Sequence, residues 1–373
     1  MAIKDRIGVL TGGGDVPGLN SVIKSVVYRA TEMQREVIGI RRGWEGLTHL
    51  DASLDFDPVY LRHLTRENTR TIDRSGGTTL HTSRTNPERL RRAGDSSTVD
   101  LTPVVLANLK RLGIGCLIVI GGDDTLSFAA TLHRQGMPLI AIPKTMDNDV
   151  RGTEYCIGFS TAITRAKDAI TRQRTTLGSH ERIGIFRIFG RNSGFTALYS
   201  GYVTSSRCLI PEHPFDVEHL CRLLMEDKRN NPSNYSLVVV SEGAVWAGQQ
   251  VAEYGESDAY GHRKKVDIGH ALAEEIKRRT GLPTRMQDIT YDLRSGEPDA
   301  FDKIVASSFG ALAVQMIASG RTDRMVCLAG GVYADAPLPD AKLGARTVDV
   351  GLFYDTATFR PKRTAHAGRP VFF

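Results

Sequence analysis

Leu117-Ile118-Val119-Ile120-Gly121-Gly122-Asp123-Asp124-Thr125 is the stretch from which the fold is read. Four consecutive aliphatic residues show no polar face to water, so they read as a strand covered on both sides, as in a parallel sheet. Gly121-Gly122 breaks the strand, and Thr125–His133 then carries apolar groups at helical spacing. Strand, glycine turn and helix make half of a βαβ unit. In open sheets of this kind ligands gather beyond the carboxyl ends of the strands, where Asp123 and Asp124 stand. Adjacent carboxylates with no basic residue nearby in sequence are costly unless a cation shares them. Mg²⁺, which takes few carboxylates plus phosphate oxygens, is one account. A pair of helix-capping residues is the other.

The same rhythm runs outward in both directions. Ile7–Leu10, Leu139–Ile142, Ile183–Phe189, Leu237–Val240 and Met325–Leu328 read as further strands. Val104–Leu112, Thr161–Thr171, Ile268–Arg279 and Phe301–Ala318 read as helices, as does the stretch holding Val22, Ile23, Val26 and Val27. Alternation of this kind implies an α/β architecture with a mostly parallel sheet. At roughly 150 residues per domain, 373 residues suggest two domains or three. No clean linker separates them, so the domains are expected to interleave along the chain.

Composition narrows the class. Hydrophobic residues at 41%, charged residues at 24% and 37 glycines exclude disorder, collagen and a disulfide-rich miniprotein. No uninterrupted apolar run approaches the ~20 residues that span a bilayer. The opening Met1–Arg6 lacks the apolar core of a secretory leader. Cys116, Cys156, Cys208, Cys221 and Cys327 are scattered, without a CxxC, and are expected as buried thiols in a reduced, cytoplasmic interior. Net charge is only +6, and basic residues cluster no further than Arg263-Lys264-Lys265 and Lys277-Arg278-Arg279, so neither a nucleic-acid nor a membrane partner is expected. The ten histidines show no metal-binding spacing, and no zinc is expected. Ala244–Lys265 reads as a long loop, and the stretch from Val348 onward as a surface tail.

Two more strand ends carry chemistry. Thr11-Gly12-Gly13-Gly14-Asp15-Val16-Pro17-Gly18-Leu19-Asn20 follows a strand and opens a helix, so free N–H groups there favour an anion such as phosphate. It lacks the third glycine of the dinucleotide fingerprint and the GK[ST] of a Walker loop, and alone it also reads as a tight turn. Pro143-Lys144-Thr145-Met146-Asp147-Asn148-Asp149 places two carboxylates beside a lysine and a threonine. One carboxylate can act as base towards a hydroxyl while the other orients a cation. A plain Asp- and Asn-rich turn is the alternative. Three strand ends bearing glycine, carboxylate and lysine together suggest phosphoryl transfer, where catalysis is positioning and charge stabilisation.

GGGDxPGLN, GGDDT, PKTMDND, Phe189-Gly190-Arg191, Val240-Ser241-Glu242-Gly243 and Tyr291-Asp292-Leu293-Arg294-Ser295-Gly296 recur in this order across residues 12–296. The chain thereby resembles the phosphofructokinase family, which phosphorylates fructose 6-phosphate at its 1-hydroxyl. The resemblance implies two doubly wound, Rossmann-like domains with the active site in the cleft between them. Residues 1–158 with roughly 293–345 would form the larger, donor-binding domain, and roughly 159–292 with 346–373 the smaller, sugar-phosphate domain. Members using ATP typically carry Gly at the positions of Asp124 and Lys144; the pair found here resembles the pyrophosphate-dependent branch. A carboxylate at Asp124 repels a nucleotide's α-phosphate by about 4 kcal/mol at ~4 Å and a dielectric of ~20, before screening. Lys144 can supply charge to the phosphoryl group in transit.

By the same resemblance Gly14, Arg84, Gly122, Asp124, Thr125 and Lys144 would bind the donor, and Asp123 would ligate Mg²⁺. Asp147 would be the base, supported by Thr145 and Asp149, with Lys144, Asp124 and Arg191 completing the catalytic set. Arg182, Phe189, Gly190, Arg191, Glu242, Arg285, Tyr291 and Arg294 would hold the sugar phosphate, arginine suiting it through bidentate contacts. Arg182 and Arg285 resemble arginines donated across a subunit boundary, which implies a homodimer or homotetramer. Phe189 stands where the family usually has Met, and Gly12 where Ser or Ala is usual. His81 reads as structural rather than catalytic. An ATP-dependent enzyme, a broader enzyme that also uses sedoheptulose 7-phosphate, and a catalytically silent subunit are the alternatives.

Overall fold

The computed structural model describes residues 6–91, 97–248, 253–254, 264–265 and 267–363. The Leu117–Ile120 core lengthens into the Ile114–Gly121 strand at the centre of a seven-stranded sheet. The spatial order is Val332–Pro337, Arg324–Ala329, Leu139–Pro143, Ile114–Gly121, Arg6–Thr11, Glu36–Ile40, Leu61–Leu64. The five middle strands are parallel, and the two outermost pair antiparallel with their neighbours. Side chains alternate across the central strand. Ile118 and Ile120 enter one apolar layer, and Leu117 and Val119 the other, so both faces are covered by helices and neither needs polar residues.

A second sheet of four parallel strands has the order Thr284–Asp288, Ile183–Ile188, Ser236–Ser241, Arg207–Leu209. The 21-residue helix Phe159–Ser179 connects the two sheets, and one continuous apolar cluster runs from the larger sheet through Ala162, Ala166 and Ile170 into Ile183, Ile185 and Val239. The architecture is α/β, with two mostly parallel, doubly wound layers, as expected. The helices expected from periodicity are found at Leu19–Glu32, Thr102–Arg111, Asp123–Arg134, Ile268–Thr280 and Ala300–Ala318.

Two expectations need correction, and one helix needs comment. The stretch from Val348 is not a surface tail as far as it is described. Residues 354–355 and 360–361 form an antiparallel pair, and Val348, Tyr354 and Phe359 are buried in the apolar cluster of the smaller sheet. The Tyr354 hydroxyl donates to the Cys208 carbonyl at 2.7 Å. Residues 364–373 lie outside the described residues. Ala244–Lys265 is not all loop: Trp246 bridges to Phe215, and Glu253–Tyr254 pairs with Lys264–Lys265, the rest lying outside the described residues. Finally, Ala300–Ala318 is long and apolar enough to span a membrane by length and composition alone, because its two charged residues interrupt only the first turn. It packs here along Leu19–Glu32, where a Cβ on Gly310 would come within 2.8 Å of the Val22 carbonyl. All five cysteines are buried and unpaired, and burial pushes the Cys116 thiol up to about 12.

Candidate active site

Strand order brings the three chemistry-bearing turns together, because Leu139–Pro143, Ile114–Gly121 and Arg6–Thr11 are neighbours. The Gly12 N–H donates to the Ile120 carbonyl and the Lys144 N–H to the Gly121 carbonyl, each at 3.0 Å. The glycines here are demanded by crowding. A Cβ on Gly12 or Gly121 would lie 2.6 or 2.4 Å from Thr125, and one on Gly14 would lie 2.5 Å from the Arg294 guanidinium. The Gly13 N–H donates to the Ser83 carbonyl at 2.9 Å and the Thr82 hydroxyl to the Gly13 carbonyl at 2.6 Å, which brings exposed Arg84 to the mouth of the same turn. His81 lends its carbonyl to the Thr11 hydroxyl at 2.9 Å. Gly122, not an acid, caps the Asp123–Arg134 helix, so Asp123 and Asp124 occupy its first turn.

Lys144 is buried, and its ammonium donates to the Gly14 carbonyl at 2.7 Å. Burial and the nearby Arg294 bring its pKa down to about 8. Asp123 is pushed up to about 7, first by burial, then by the charges of Asp149 and Asp124. Burial also raises Asp149, against the hydrogen bond from Thr145. Asp147 stands well above the usual carboxylate range, because burial and the charges of Asp149 and Glu242 outweigh Arg294 and the Arg191 N–H. Five acids therefore share one field, with Lys144 and Arg294 among them. Such a set of perturbed groups in a cleft marks a functional site.

The carboxyl ends of the smaller sheet face this cluster. Phe189-Gly190-Arg191 leaves Ile183–Ile188, Glu242 follows Ser236–Ser241, and Tyr291 and Arg294 follow Thr284–Asp288. Gly190 has φ +127°, and the Ser241 hydroxyl donates to its carbonyl at 2.5 Å. Gly243 admits no other residue, since a Cβ would lie 1.9 Å from the Arg191 carbonyl. Arg294 spans the cleft: its guanidinium lies 4.4 Å from the Phe189 ring and donates to the Asp15 carbonyl at 2.7 Å. Tyr291, 79% exposed, meets Phe189 edge-on at 6.4 Å and forms the rim.

Arg182 and Arg285 are the exceptions. They sit at the amino ends of neighbouring strands, where Thr284 pairs with Ile183. At ~3.3 Å per residue the length of the Ile183–Ile188 strand, close to 20 Å, separates them from Arg191. One chain therefore does not bring all the arginines to one phosphate.

The acids fit a hard divalent cation. Asp123, Asp124 and Asp149 lie close together, and burial, then the charges of Asp149 and Asp124, raise Asp123 to about 7 against Arg151 and Lys144. Among the described residues no three His, Cys, Asp or Glu side chains form a ready-made cage. The fit is to an ion that uses one or two carboxylates plus phosphate oxygens.

Sequence reading missed two cations. Arg187 makes ion pairs with Glu242 at 3.5 Å and Asp267 at 3.6 Å, and a further one with Asp288, so it fixes the Glu242 carboxylate at the edge of the site. Arg346 lies beneath the Asp147–Asp149 turn. A charged residue inside an otherwise apolar strand is the signal that could have marked Arg187; no motif marks Arg346.

The family described as Phosphofructokinase matches residues 6–317. A pyrophosphate–fructose 6-phosphate 1-phosphotransferase of Amycolatopsis methanolica is 38% identical over 358 residues, covering 95% of this chain and 99% of that one. ATP-dependent 6-phosphofructokinase 3 of Streptomyces coelicolor is also 38% identical, over 347 residues, covering 92% and 96%. A solved pyrophosphate-dependent phosphofructokinase from Nitrosospira multiformis shares the fold with a TM-score of 0.78 at 17% identity, covering 99% of this chain and 96% of that one.

Proposed function

The chain belongs to the phosphofructokinase family, and from that premise we propose that it transfers a phosphoryl group reversibly from pyrophosphate to the 1-hydroxyl of fructose 6-phosphate. The products are fructose 1,6-bisphosphate and phosphate. The observation that carries the choice of donor is the pairing of Asp124, in the first helical turn, with buried Lys144 on the Gly14 carbonyl. A nucleotide's α-phosphate would have to pass the Asp124 carboxylate. Pyrophosphate has no such group, and its negative charge meets Lys144 and the turn around Gly14, Gly122 and Thr125, with Arg84 at the mouth.

Asp147 takes the proton of the sugar 1-hydroxyl as its oxygen attacks phosphorus, and the bond to the departing phosphate breaks. Burial suits it to this role, since a carboxylate raised towards neutrality is a better base. Asp123, aided by its acidic neighbours, would hold Mg²⁺, which supplies charge neutralisation to the donor phosphates when bound. Arg191, Glu242 and Arg294 hold the sugar phosphate with Phe189 and Gly190, and Thr145 and Asp149 support the same end. The separation of Arg182 and Arg285 from this group within one chain supports their donation by a second subunit, hence a homodimer or homotetramer. The unpaired buried cysteines support a reducing, cytoplasmic setting.

The ATP-dependent reading draws on relatives of equal identity named for ATP. Initial rates with fructose 6-phosphate and Mg²⁺, comparing pyrophosphate with ATP at matched concentrations and coupling product to aldolase, decide between them. The pyrophosphate rate is expected to exceed the ATP rate by far, and a faster ATP rate overturns the donor assignment. Asp147→Ser is expected to lower turnover by ~10²–10⁴-fold with either donor; unchanged turnover removes Asp147 as base.

A further inference from the structure

The turn that carries Asp147 and Asp149 has little regular structure of its own. Its carbonyls must be satisfied from elsewhere, because a buried carbonyl without a donor is costly. The Thr196 hydroxyl donates to the Met146 carbonyl at 2.8 Å. The Asn148 amide donates to the Glu154 carbonyl at 3.0 Å and its oxygen accepts from the Cys156 N–H at 2.8 Å. The remaining donors come from one residue almost two hundred positions downstream. The Arg346 N–H donates to the Asp149 carbonyl at 2.6 Å. Its guanidinium reaches the carbonyls of Thr153 and Glu154 at 3.1 Å each, and that of Asn148 at 3.4 Å.

Arg346 is also fixed from the other side. Its guanidinium lies 4.4 Å over the Phe195 ring, at the start of the Phe195–Thr204 helix. Two residues on, the Val348 N–H donates to Glu212 at 2.8 Å, and the same carboxylate oxygen accepts the Gly194 N–H at 2.9 Å. Arg151 donates to the carbonyls of Leu343 and Gly344 at 3.0 and 2.9 Å. The segment 343–348 is thus a strap bound to the Asp147 turn on one side and to the smaller sheet's helix on the other.

This arrangement is a poor way to gain stability. Among the described residues Arg346 has no carboxylate partner within ion-pair distance, and its buried Nη2 has no hydrogen-bond partner. A half-buried guanidinium held by carbonyls and one ring, with no carboxylate to balance it, is costly. An aliphatic residue would fill the space at lower cost, but it could not donate to three carbonyls.

We propose that Arg346 is a positioning residue that fixes the Asp147–Asp149 turn in its reactive geometry, holding Asp147 at the distance and angle from which it can take the sugar proton. The inference rests on the role given to Asp147 in the proposed reaction. It does not depend on which donor is used, since the attacking hydroxyl is the same.

The test uses the full chain with Arg346→Met and Arg346→Lys, reading kcat and KM for both substrates together with amide hydrogen exchange over residues 145–150. Arg346→Met is expected to speed exchange there at least tenfold and to lower kcat by ~10²-fold, the loss that a 1 Å misplacement brings, with both KM values within about threefold. Arg346→Lys, keeping one cation but not the fork, is expected to fall between. Unchanged exchange overturns the proposal, as does faster exchange with unchanged kcat, or a rise in KM alone. If Arg346→Met does not fold, Arg346→Lys and Thr196→Val, which loosens the same turn at Met146, carry the same readouts. If wild type turns over with neither donor, the proposed reaction has failed; exchange in Arg346→Met still decides whether the strap holds the turn.

Discussion

Burial moves Asp123 up and Lys144 down, each towards neutrality, and the rate should record both. Burial and two neighbouring acids raise Asp123 to about 7, so protons would compete with the divalent cation proposed there as pH falls. Burial and Arg294 lower Lys144 to about 8, so its charge is lost as pH rises past that value. Turnover at fixed low Mg²⁺ should therefore rise from pH 6 to about 7 and fall above about 8. Raising Mg²⁺ should restore the acidic limb and leave the alkaline one in place. Titrating rate against pH at two Mg²⁺ concentrations checks this, and an acidic limb indifferent to Mg²⁺ removes Asp123 as the metal ligand. These residues were legible because they lie in short stretches directly after apolar strands. Arg346 was not, since nothing in Gly344-Ala345-Arg346-Thr347 distinguishes it from any surface loop. Its role comes from tertiary placement alone.

At the scale of the element, Asp302 shows how the long helix beneath the site is anchored. Its carboxylate is fully buried and accepts from the Tyr155 hydroxyl at 2.5 Å, the Gly158 N–H at 2.8 Å, and the Thr161 N–H and hydroxyl at 2.8 and 2.5 Å. It thus satisfies the orphan N–H groups at the start of Phe159–Ser179 from another helix, where Gly158 itself has no side chain to do so. Asp302→Ala leaves several buried donors unmet, each worth ~1–3 kcal/mol, and should lower the thermal midpoint by ten degrees or more in calorimetry. Burial outweighs the four bonds and raises this carboxyl to about 6. Because the folded value lies above the unfolded one, this group's own titration favours the folded state below about pH 4, and that contribution is lost as pH rises through about 6. Four of the larger sheet's five parallel strands and most helices were readable from periodicity, but Glu36–Ile40, and Arg207–Leu209 and Thr284–Asp288 in the smaller sheet, were not. The antiparallel edges were not: Leu61–Leu64 and Val332–Pro337 are short and partly exposed, so their residues carry no continuous apolar signal.

At the scale of the whole molecule, the two misplaced arginines make a prediction about assembly. Arg182 and Arg285 sit at the amino ends of neighbouring strands, away from the candidate site of their own chain. If a second copy supplies them, Arg285→Ala and Asp147→Ser, each nearly inactive alone, should regain activity when unfolded together and refolded as a mixture. Half or less of the mixed dimers' sites would pair an intact Asp147 with an intact Arg285, so recovery should approach a quarter of the wild-type rate. No recovery, in a mixture shown to exchange subunits, argues against a shared site. This separation could be read from neither motif nor spacing; it needed the sheet's direction.

The chain order of the larger sheet has a further consequence, for synthesis. The strand Arg324–Ala329 pairs beside Leu139–Pro143, which is made far earlier. All four strands of the smaller sheet lie between them in sequence, from residue 183 to residue 288. As the polypeptide leaves the ribosome, the four strands of the smaller sheet can pair first, while the larger sheet waits with one flank of Leu139–Pro143 unpaired. A waiting flank of aliphatic backbone is a template for wrong partners. The nascent enzyme is therefore most vulnerable to aggregation after its second sheet is complete and before residue 329 has emerged, and a chaperone that shields one strand for that interval would raise its yield.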